Sequence, residues 1–396
     1  MTRLLRMLRS IPFPLRLLLV VGFGSLLWLI VAVRRSEPPP GASASARRAP
    51  VQLAPRAPVA RAAPEVLATD PLGPSNPAVD DEFIYWIARN ENELGNKKSR
   101  VMRAPKTGGA ATTLAEAGWI ESLAVDDTGA YWTERDRDGM KRDGAVRRVS
   151  RQGGSADTLA RRRSGPSAIT AGGGRVYWLE NRNFGKQGHQ PGALMTAMTA
   201  GAPRIRQLDV TVLVGTRRLW LDHERLYFAA DGGSTPEEEA RLIHPPTQRG
   251  VTSGRIGFHE LRDGRVVATP YDENLCGDGV PCGPVTAETS GGGRTVWGIA
   301  SGAIVTRARS TDKPVLLASG PERPTGVALD GRYVYWVAVV EKHNPDKGQL
   351  LRVSLDGGAP EVLASGLVWP WGIAVDRDHV YWTEWLSGKV ARIAKQ

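Results

Sequence analysis

The sequence of 396 residues predicts an all-β fold assembled from repeated units. A short apolar phrase built around Tyr-Trp recurs along the chain, and its neighbouring phrases are rich in β-branched and aromatic residues, which favour strands. No long segment with helical periodicity follows residue 35. The central residues of the recurring phrase are Tyr85, Tyr131, Tyr177, Tyr227, Val296, Tyr335 and Tyr381. Successive centres are 46, 46, 50, 69, 39 and 46 residues apart.

Each repeat contains further phrases at regular distances from Tyr-Trp. In the copy around Tyr335, an apolar phrase ends at Asp330, a later one contains Arg352, and a Gly357-Gly358 turn precedes a fourth at 361–363. Four short strands in a unit of about 40–50 residues are characteristic of a β-propeller blade. Seven copies therefore predict seven blades, with six as the alternative count.

The two ends of the repeat region predict how the ring closes. The last repeat stops after its third strand, at about Ala394. Residues 63–68, Ala-Pro-Glu-Val-Leu-Ala, match residues 359–364 one for one. Residues 64–68 should thus supply the missing outer strand of the final blade, which leaves no open sheet edge. The predicted propeller domain covers residues 63–396.

The N-terminal 62 residues differ from the rest in composition. They contain ten arginines and one acid, and so carry nine of the eleven net positive charges of the chain. Because the propeller region is close to neutral, the sequence does not predict a nucleic-acid-binding surface. Residues 34–62 consist largely of Ala, Pro and Arg, and are expected to form a disordered, extended linker.

The segment from Leu17 to Val33 is 17 residues long and has no charged side chain. As a helix it would span about 26 Å, enough for a thin bilayer core. The arginines of residues 1–16 predict that this end is cytoplasmic and that the propeller is exported to the periplasm of a bacterial inner membrane. A cleaved signal peptide is the alternative, but the Ala-Ser-Ala sites lie 11 to 13 residues beyond the apolar run.

The region from about residue 63 to 396 resembles the superfamily of YWTD-type and NHL-like β-propellers. The motif is best kept at Tyr131-Trp132-Thr133-Glu134 and at Tyr381-Trp382-Thr383-Glu384, where Glu replaces the Asp of the family pattern. YWTD propellers have six blades, and no cysteine-rich module accompanies this region. This combination of sequence features is most similar to that of exported bacterial propellers of unassigned activity. The resemblance implies the fold and says little about the function.

The long loops of this chain fall on one face of the predicted propeller. Loops between strands 2 and 3 of a blade share a face with the blade-to-blade connections, and here they are long and polar. Loops longer than the fold requires are common places for function. They cover residues 89–98, 135–143, 181–191, 231–253 and 341–347.

In each blade, one residue near the start of the inner strand is expected to face the central channel. Together these residues define a candidate binding site. Alignment of the repeats gives Ser75, Glu121, Ser167, Arg217, Val285 or Thr286, Thr325 and Trp371, with Trp119 and Trp369 beside the channel mouth. Glu121, Arg217, Trp371, Trp119 and Trp369 could form a pocket for a protein, peptide or glycan. An internal Glu121–Arg217 ion pair with packed indoles explains the same residues without a ligand.

The sequence predicts no catalytic residues, metal site or cofactor. No nucleophile elbow or phosphate-binding glycine loop occurs, and the six histidines lack metal-ligand spacing. A channel-site hydrolase of the lactonase type is the alternative, although Glu121 is the one carboxylate at the aligned positions. Cys276 and Cys282 are the two cysteines, and in an exported chain they are expected to form a disulfide. The function predicted from sequence is a membrane-anchored periplasmic propeller that serves as a binding or scaffold module.

Overall fold

The computed structural model describes most of the repeat region. The described residues are 63–89, 98–135, 143–180, 192–201, 204–208, 216–230, 255–262, 265–268, 271–272, 279–281, 283, 285–308, 312–320, 322–339 and 346–395. They belong to the unit Leu53–Gln396, one of two into which the chain divides. Within these ranges no helix is long and apolar enough to cross a membrane. The predicted anchor at 17–33, its flanking segments and both cysteines lie outside them.

The strands of the described residues form seven antiparallel sheets, and each sheet is one blade. Blades 1 to 3 each contain four consecutive strands. They are β2 (Pro74–Val79), β3 (Phe83–Arg89), β4 (Ser99–Pro105) and β5 (Thr112–Ala117); β6 (Trp119–Val125), β7 (Gly129–Arg135), β8 (Gly144–Ser150) and β9 (Asp157–Arg163); and β10 (Pro166–Gly172), β11 (Arg175–Glu180), β12 (Ala193–Met198) and β13 (Arg206–Gln207).

Blades 4 to 6 follow the same order, with one additional strand in blade 4. They are β14 (Thr216–Asp222), β15 (Arg225–Ala230), β16 (Arg255–Arg262), β17 (Arg265–Ala268) and the short β18 (Tyr271–Asp272), which pairs with β16; β19 (Val285–Gly291), β20 (Arg294–Ile299), β21 (Ala303–Arg307) and β22 (Val315–Ser319); and β23 (Arg323–Leu329), β24 (Tyr333–Val339), β25 (Gly348–Ser354) and β26 (Glu361–Leu367). The protein is an all-β, seven-bladed propeller, as the repeat count predicted.

Blade 7 is made from both ends of the repeat region. It contains β27 (Pro370–Val375), β28 (His379–Glu384), β29 (Lys389–Ala394) and, as its outer strand, β1 (Glu65–Thr69). β1 pairs antiparallel with β29, with Glu65 opposite Arg392 and Thr69 opposite Lys389. The predicted closure of the ring by an N-terminal strand is confirmed.

The Tyr-Trp strand is buried on both of its faces because each blade is packed between two others. Trp86, Trp132, Trp178, Trp297 and Trp382 are all less than 2% exposed. Consecutive residues of one strand enter different core clusters. Tyr381 packs with residues of blades 7 and 1, and Trp382 packs with residues of blades 6 and 7. Removing either side chain would therefore open a cavity between blades and not only within one sheet.

The Glu of the Tyr-Trp-Thr-Glu motif binds the buried indole. Glu134 accepts a hydrogen bond from Trp132 Nε1 at 2.8 Å, and Glu384 accepts one from Trp382 Nε1 at 3.2 Å. In blade 1 the same partner comes from the N-terminal segment, where Asp70 accepts a 3.3 Å bond from Trp86 Nε1. Each acid thus satisfies an N–H group that burial would otherwise leave unpaired.

Charged residues join successive blades on the face that carries the turns between strands 3 and 4. Asp376, at the end of the inner strand of blade 7, accepts a hydrogen bond from Tyr381 at 2.8 Å and pairs with Lys106 of blade 1 at 2.7 Å. Arg392 of blade 7 donates back to the main-chain oxygen of Lys106 and also pairs with Glu65 at 2.7 Å. We call this set of contacts between two blades the inter-blade latch.

The latch recurs at other blade boundaries. Between blades 6 and 7, Lys395 lies 2.8 Å from Asp330, which accepts a hydrogen bond from Tyr335. Between blades 1 and 2, Arg103 donates to the main-chain oxygen of Arg151. The regularly placed arginine of the sequence repeat is therefore a connection between blades.

The latch changes the acidity of its carboxylates. Burial alone would raise the pKa of Asp376, but hydrogen bonds from Lys106, from the amides of Asp378 and His379 and from Tyr381 outweigh it and lower the pKa to about 2. Asp330 is similar. Burial would raise its pKa, but hydrogen bonds from Lys395 and from two main-chain amides outweigh burial and lower the pKa to about 2. Both groups stabilise the fold in the ionised form.

Deleting β1 tests the closure of the ring. A chain that starts at Leu72 lacks the outer strand of blade 7 and the Glu65–Arg392 pair, so β29 becomes an open edge. We expect a loss of cooperative unfolding and aggregation, compared with a chain that starts at Arg61. Calorimetry and light scattering measure both effects. Equal melting temperatures for the two chains would contradict closure by β1.

Acid tests the latch. Because the pKa values of Asp330 and Asp376 are about 2 in the fold and 3.8 without it, the stability they supply is present above pH 4 and is lost as the pH falls from about 4 to about 2. Each contributes on the order of 2 kcal/mol. Urea unfolding of Asp376→Asn between pH 2 and 6 should show a shallower decline than wild type. Asp356→Asn, at an exposed aspartate in the turn between β25 and β26, is the control and should keep the wild-type decline.

Candidate binding site at the channel mouth

The aligned channel positions coincide with an irregularity in the inner strand of every blade. The pairing register between strands 1 and 2 shifts once in each blade. The residues that the shift leaves unpaired include Asn76, Glu121, Ser167, Arg217, Thr286, Thr325 and Trp371. A bulge of this kind redirects a side chain and bends the strand. In blade 1 the aligned residue is different: Ser75 still pairs with Ile87 and is buried, and the shift leaves Asn76 unpaired.

At several of these positions the bulge serves the contact between blades. Thr325 Oγ1 donates to the main-chain oxygen of Pro370 in blade 7 at 2.7 Å. The main-chain oxygen of Ser167 accepts a 2.6 Å bond from Thr133 of blade 2, and that of Thr286 accepts a 3.0 Å bond from Arg218 of blade 4. The fold thus explains the small polar side chain of Thr325, whereas at Ser167 and Thr286 it is the bulged main chain that makes the contact.

Blade 2 has a charged group at its bulge. Glu121 Oε2 lies 2.6 Å from an Arg135 guanidinium nitrogen and accepts a hydrogen bond from Trp119 Nε1 at 2.9 Å. The Glu121 and Arg135 side chains are 29% and 24% exposed, so a ligand can still reach them. The Arg89 guanidinium lies over the Trp119 ring, 4.8 Å from its centroid. An acid, an indole and two guanidinium groups therefore meet at one end of this blade.

Blade 7 has an aromatic group at the equivalent place. Trp371 is 44% exposed, and its ring centroid lies 6.3 Å from that of Trp385. Leu386, next in the chain, is 54% exposed. Trp385 fits because residue 73 is glycine: a Cβ atom there would lie 2.2 Å from Trp385 Nε1. We call Trp371, Trp385 and Leu386 the aromatic rim.

The two groups use the same pair of positions in their repeats. Trp371 and Glu121 are the bulge residues, and Trp385 and Arg135 each directly follow a Tyr-Trp-Thr-Glu motif. In one repeat the pair is ionic and in the other it is aromatic. Because one backbone frame accepts both pairs, the fold does not demand either chemistry.

Blade 1 joins these two groups into one surface. Asn76 Nδ2 donates to the main-chain oxygen of Glu121 at 3.4 Å. On its other side, Gly372 of blade 7 packs against Pro77 and Asn76, with only 2.4 Å between a virtual Cβ and Pro77 Cδ. The inner ends of blades 7, 1 and 2 are therefore contiguous, with indoles at one end and charges at the other.

The remaining predicted site residues have different outcomes. Trp369 is half-buried in a left-handed backbone conformation, φ 50°, and its main-chain oxygen accepts a 3.0 Å bond from the amide of Trp385. The main chain of Trp369 therefore helps to hold Trp385 of the aromatic rim in place. Arg217 lies at the bulge of β14, but its side chain is outside the described part of the structure. Glu121 pairs with Arg135, a residue that the sequence reading did not pair with it.

Sequence reasoning missed the second residue of each pair. Arg135 ends strand 2 of blade 2, and Trp385 and Leu386 directly follow strand 2 of blade 7. The repeats differ there, and an alignment of inner strands did not include these residues. The sequence signal was available: Trp385 and Arg135 occupy equal positions after two copies of one motif. Among the described residues, no group of three or more His, Cys, Asp or Glu side chains is arranged to hold a metal ion.

Comparisons with known proteins place the fold and no more. No protein-family model matches the chain, and no curated protein matches it in sequence. Solved β-propellers are similar in structure. YCF48 bound to D1 peptide has a TM-score of 0.54 at 12% identity, covering 88% of this chain and 100% of that one. The WD40 β-propeller domain of Doa1 has a TM-score of 0.53 at 11% identity, covering 84% and 97%.

A further similar structure is the WD40 domain of Pan2 from Neurospora crassa. Its TM-score is 0.51 at 9% identity, and the match covers 81% of this chain and 89% of that one. At these identities the likeness shows a β-propeller fold and does not assign a subfamily. The class that the fold defines is a seven-bladed β-propeller.

Two tryptophans of blade 7 test which residues the fold needs. Trp382→Ala removes a side chain that is 1% exposed and packed between blades, so it should cost about 3–5 kcal/mol. Trp371→Ser removes a side chain that is nearly half exposed, and should cost less than about 1 kcal/mol. Urea unfolding measures both. A large destabilisation by Trp371→Ser would show that this indole fills the channel as part of the core.

Proposed function

We propose that this propeller is a binding module that captures a peptide segment of another protein at its channel mouth. The observation that supports it is the aromatic rim, where Trp371 and Leu386 expose apolar surface that no blade packing requires. Exposed aromatic side chains dominate the binding energy of many protein interfaces. The exposed side chains of Trp371 and Leu386 are therefore candidates for recognition.

The charged end of the same surface supports a peptide as the ligand. Glu121 and Arg135 form a pair that is partly exposed, and each offers further hydrogen-bonding capacity to a main chain or to charged side chains. Indole rings beside a charged pair are complementary to a peptide segment in which an apolar side chain lies near a polar one. The similar propeller YCF48 was solved bound to D1 peptide. Glycans also stack on indoles, and they are the competing outcome of the test.

Membrane attachment and export are part of the proposal. The uncharged run from Leu17 to Val33 and the arginines on both sides of it would hold the chain in a bacterial inner membrane, with the propeller in the periplasm. A linker rich in Ala and Pro would then separate the membrane from blade 7, where β1 begins. The Tyr-Trp-Thr-Glu phrase supports a place near the YWTD and NHL-like propellers. No observation favours the alternative of a channel-site hydrolase.

Selection from a displayed library of random peptides tests recognition. Peptides enriched on the full-length protein should bind Trp371→Ser and Leu386→Ser at least about 30-fold more weakly, the loss expected for removing about 2 kcal/mol of contact. Val66→Ser, at an apolar residue of the outer strand β1 that is 50% exposed, is the matched control and should bind as wild type. Equal loss in all three variants would contradict binding at the rim. If the protein binds glycans and no peptide, and Trp371→Ser loses that binding, the ligand is a glycan and not a peptide.

Reporter fusion tests the location separately. A reporter that is active only in the periplasm, fused after Gln396, should be active when the full chain is expressed. Replacing the arginines of residues 1–16 with glutamine should weaken that orientation, since they set it. Activity of a cytoplasmic reporter at the same position would contradict export while leaving the peptide site untouched.

A further inference from the structure

A cavity of about 360 Å³ lies at the outer edge of blade 2, and arginines dominate its lining. Arg147 comes from β8, and Arg161 and Arg162 come from the outer strand β9. The other lining residues are Asp143, Gly144, Ala145 and Thr158. The cavity is formed on blade 2 alone, by its two outermost strands, so it differs from the channel mouth at the inner strands.

An irregularity in β9 brings two consecutive arginines to one cavity. In a regular strand, neighbouring side chains point to opposite faces. Here the pairing of β8 with β9 shifts between Gly144 and Val146, which leaves Arg161 and Arg162 in a bulge opposite Ala145. Arg162 also has a left-handed backbone, with φ 55°.

Another blade shows what the fold alone requires at this place. In blade 6 the corresponding bulge contains Gly366, with φ 72°. Glycine adopts this conformation without a steric penalty, whereas arginine does not. Blade 2 therefore holds an arginine where glycine would be the less strained residue, and this arginine lines the same cavity as Arg147 and Arg161.

Within the described structure the cavity lining holds three arginines and one acid, Asp143, so positive charge is in excess there. Arg147 lies 3.4 Å from Glu134, and its Nε atom is buried with no hydrogen-bond partner there. Arg161 and Arg162 are exposed, and the described residues offer them no ion pair. By contrast, in a groove of about 500 Å³ between blades 7 and 1, both Lys106 and Arg392 pair with acids.

We propose that the cavity lined by Arg147, Arg161 and Arg162 binds a phosphate group. A phosphate carries close to two negative charges at neutral pH and three strong acceptor oxygens, and guanidinium groups bind such oxygens in pairs. Three arginines on two strands line the same cavity, and the Thr158 hydroxyl in that lining is a further hydrogen-bond donor. A carboxylate has one charge and two oxygens, and uses this donor set less fully.

Calorimetric titration at constant ionic strength tests the site on the full-length protein in detergent. The probes are inorganic phosphate, glycerol phosphate as a lipid headgroup, and acetate. Both phosphates should bind with a stoichiometry of one and raise the melting temperature, and acetate should do neither. Tighter binding of glycerol phosphate would indicate a headgroup as the source, and tighter binding of inorganic phosphate a free ion.

The variant Arg162→Gly separates binding from folding. It should bind phosphate at least about tenfold more weakly, since it loses charged hydrogen bonds, while its melting temperature without ligand should equal or exceed that of wild type. Arg161→Gln should also lose binding. The control is Arg377→Gln, at an exposed arginine of blade 7, and it should bind as wild type. Unchanged binding in Arg162→Gly, or equal binding of acetate, would overturn the proposal.

Discussion

The structure depends on closing a ring of seven blades with a strand from the other end of the repeat region. A blade buries both of its faces only if it has two neighbours, and Trp382 and Tyr381 show how completely blade 7 relies on blades 6 and 1. That arrangement requires β1 to complete blade 7, because otherwise β29 would end the ring with unpaired main-chain groups. Residues that are more than 300 positions apart, such as Glu65 and Arg392, therefore meet as neighbours.

The two faces of the ring differ in how far the repeat fixes their residues. On the face with the short turns, the inter-blade latch uses residues that the repeat itself supplies: the Asp before Tyr-Trp, the Tyr, and the regularly placed arginine. On the other face, the bulge position varies between Thr325, which ties two blades together, and Trp371 or Glu121, whose side chains the blade does not need. Variation at a fixed backbone position allows one fold to carry different binding chemistry.

The sequence predicted the parts of the structure that follow from the repeat. Blade number, the closing strand and six of the seven bulge positions could be read from spacing, because every blade packs between neighbours in the same way. The partners of Glu121 and Trp371 were missed, since Arg135 and Trp385 lie at the ends of strands, outside the aligned inner strands. The bulge at Arg161 and Arg162 was also hidden, because a run of arginines in a sequence looks the same whether or not its side chains share a cavity.

Amide hydrogen exchange measures the closure of the ring most directly. If β1 is an integral strand of blade 7, the amides that bond it to β29, between Glu65 and Thr69 and between Lys389 and Arg392, should exchange only through global unfolding. Their opening free energies should then equal those of the buried β28, and all should fall together with added urea. Fast exchange in β1 and β29 while β28 stays protected would show that the ring opens locally and that blade 7 does not depend on its N-terminal strand.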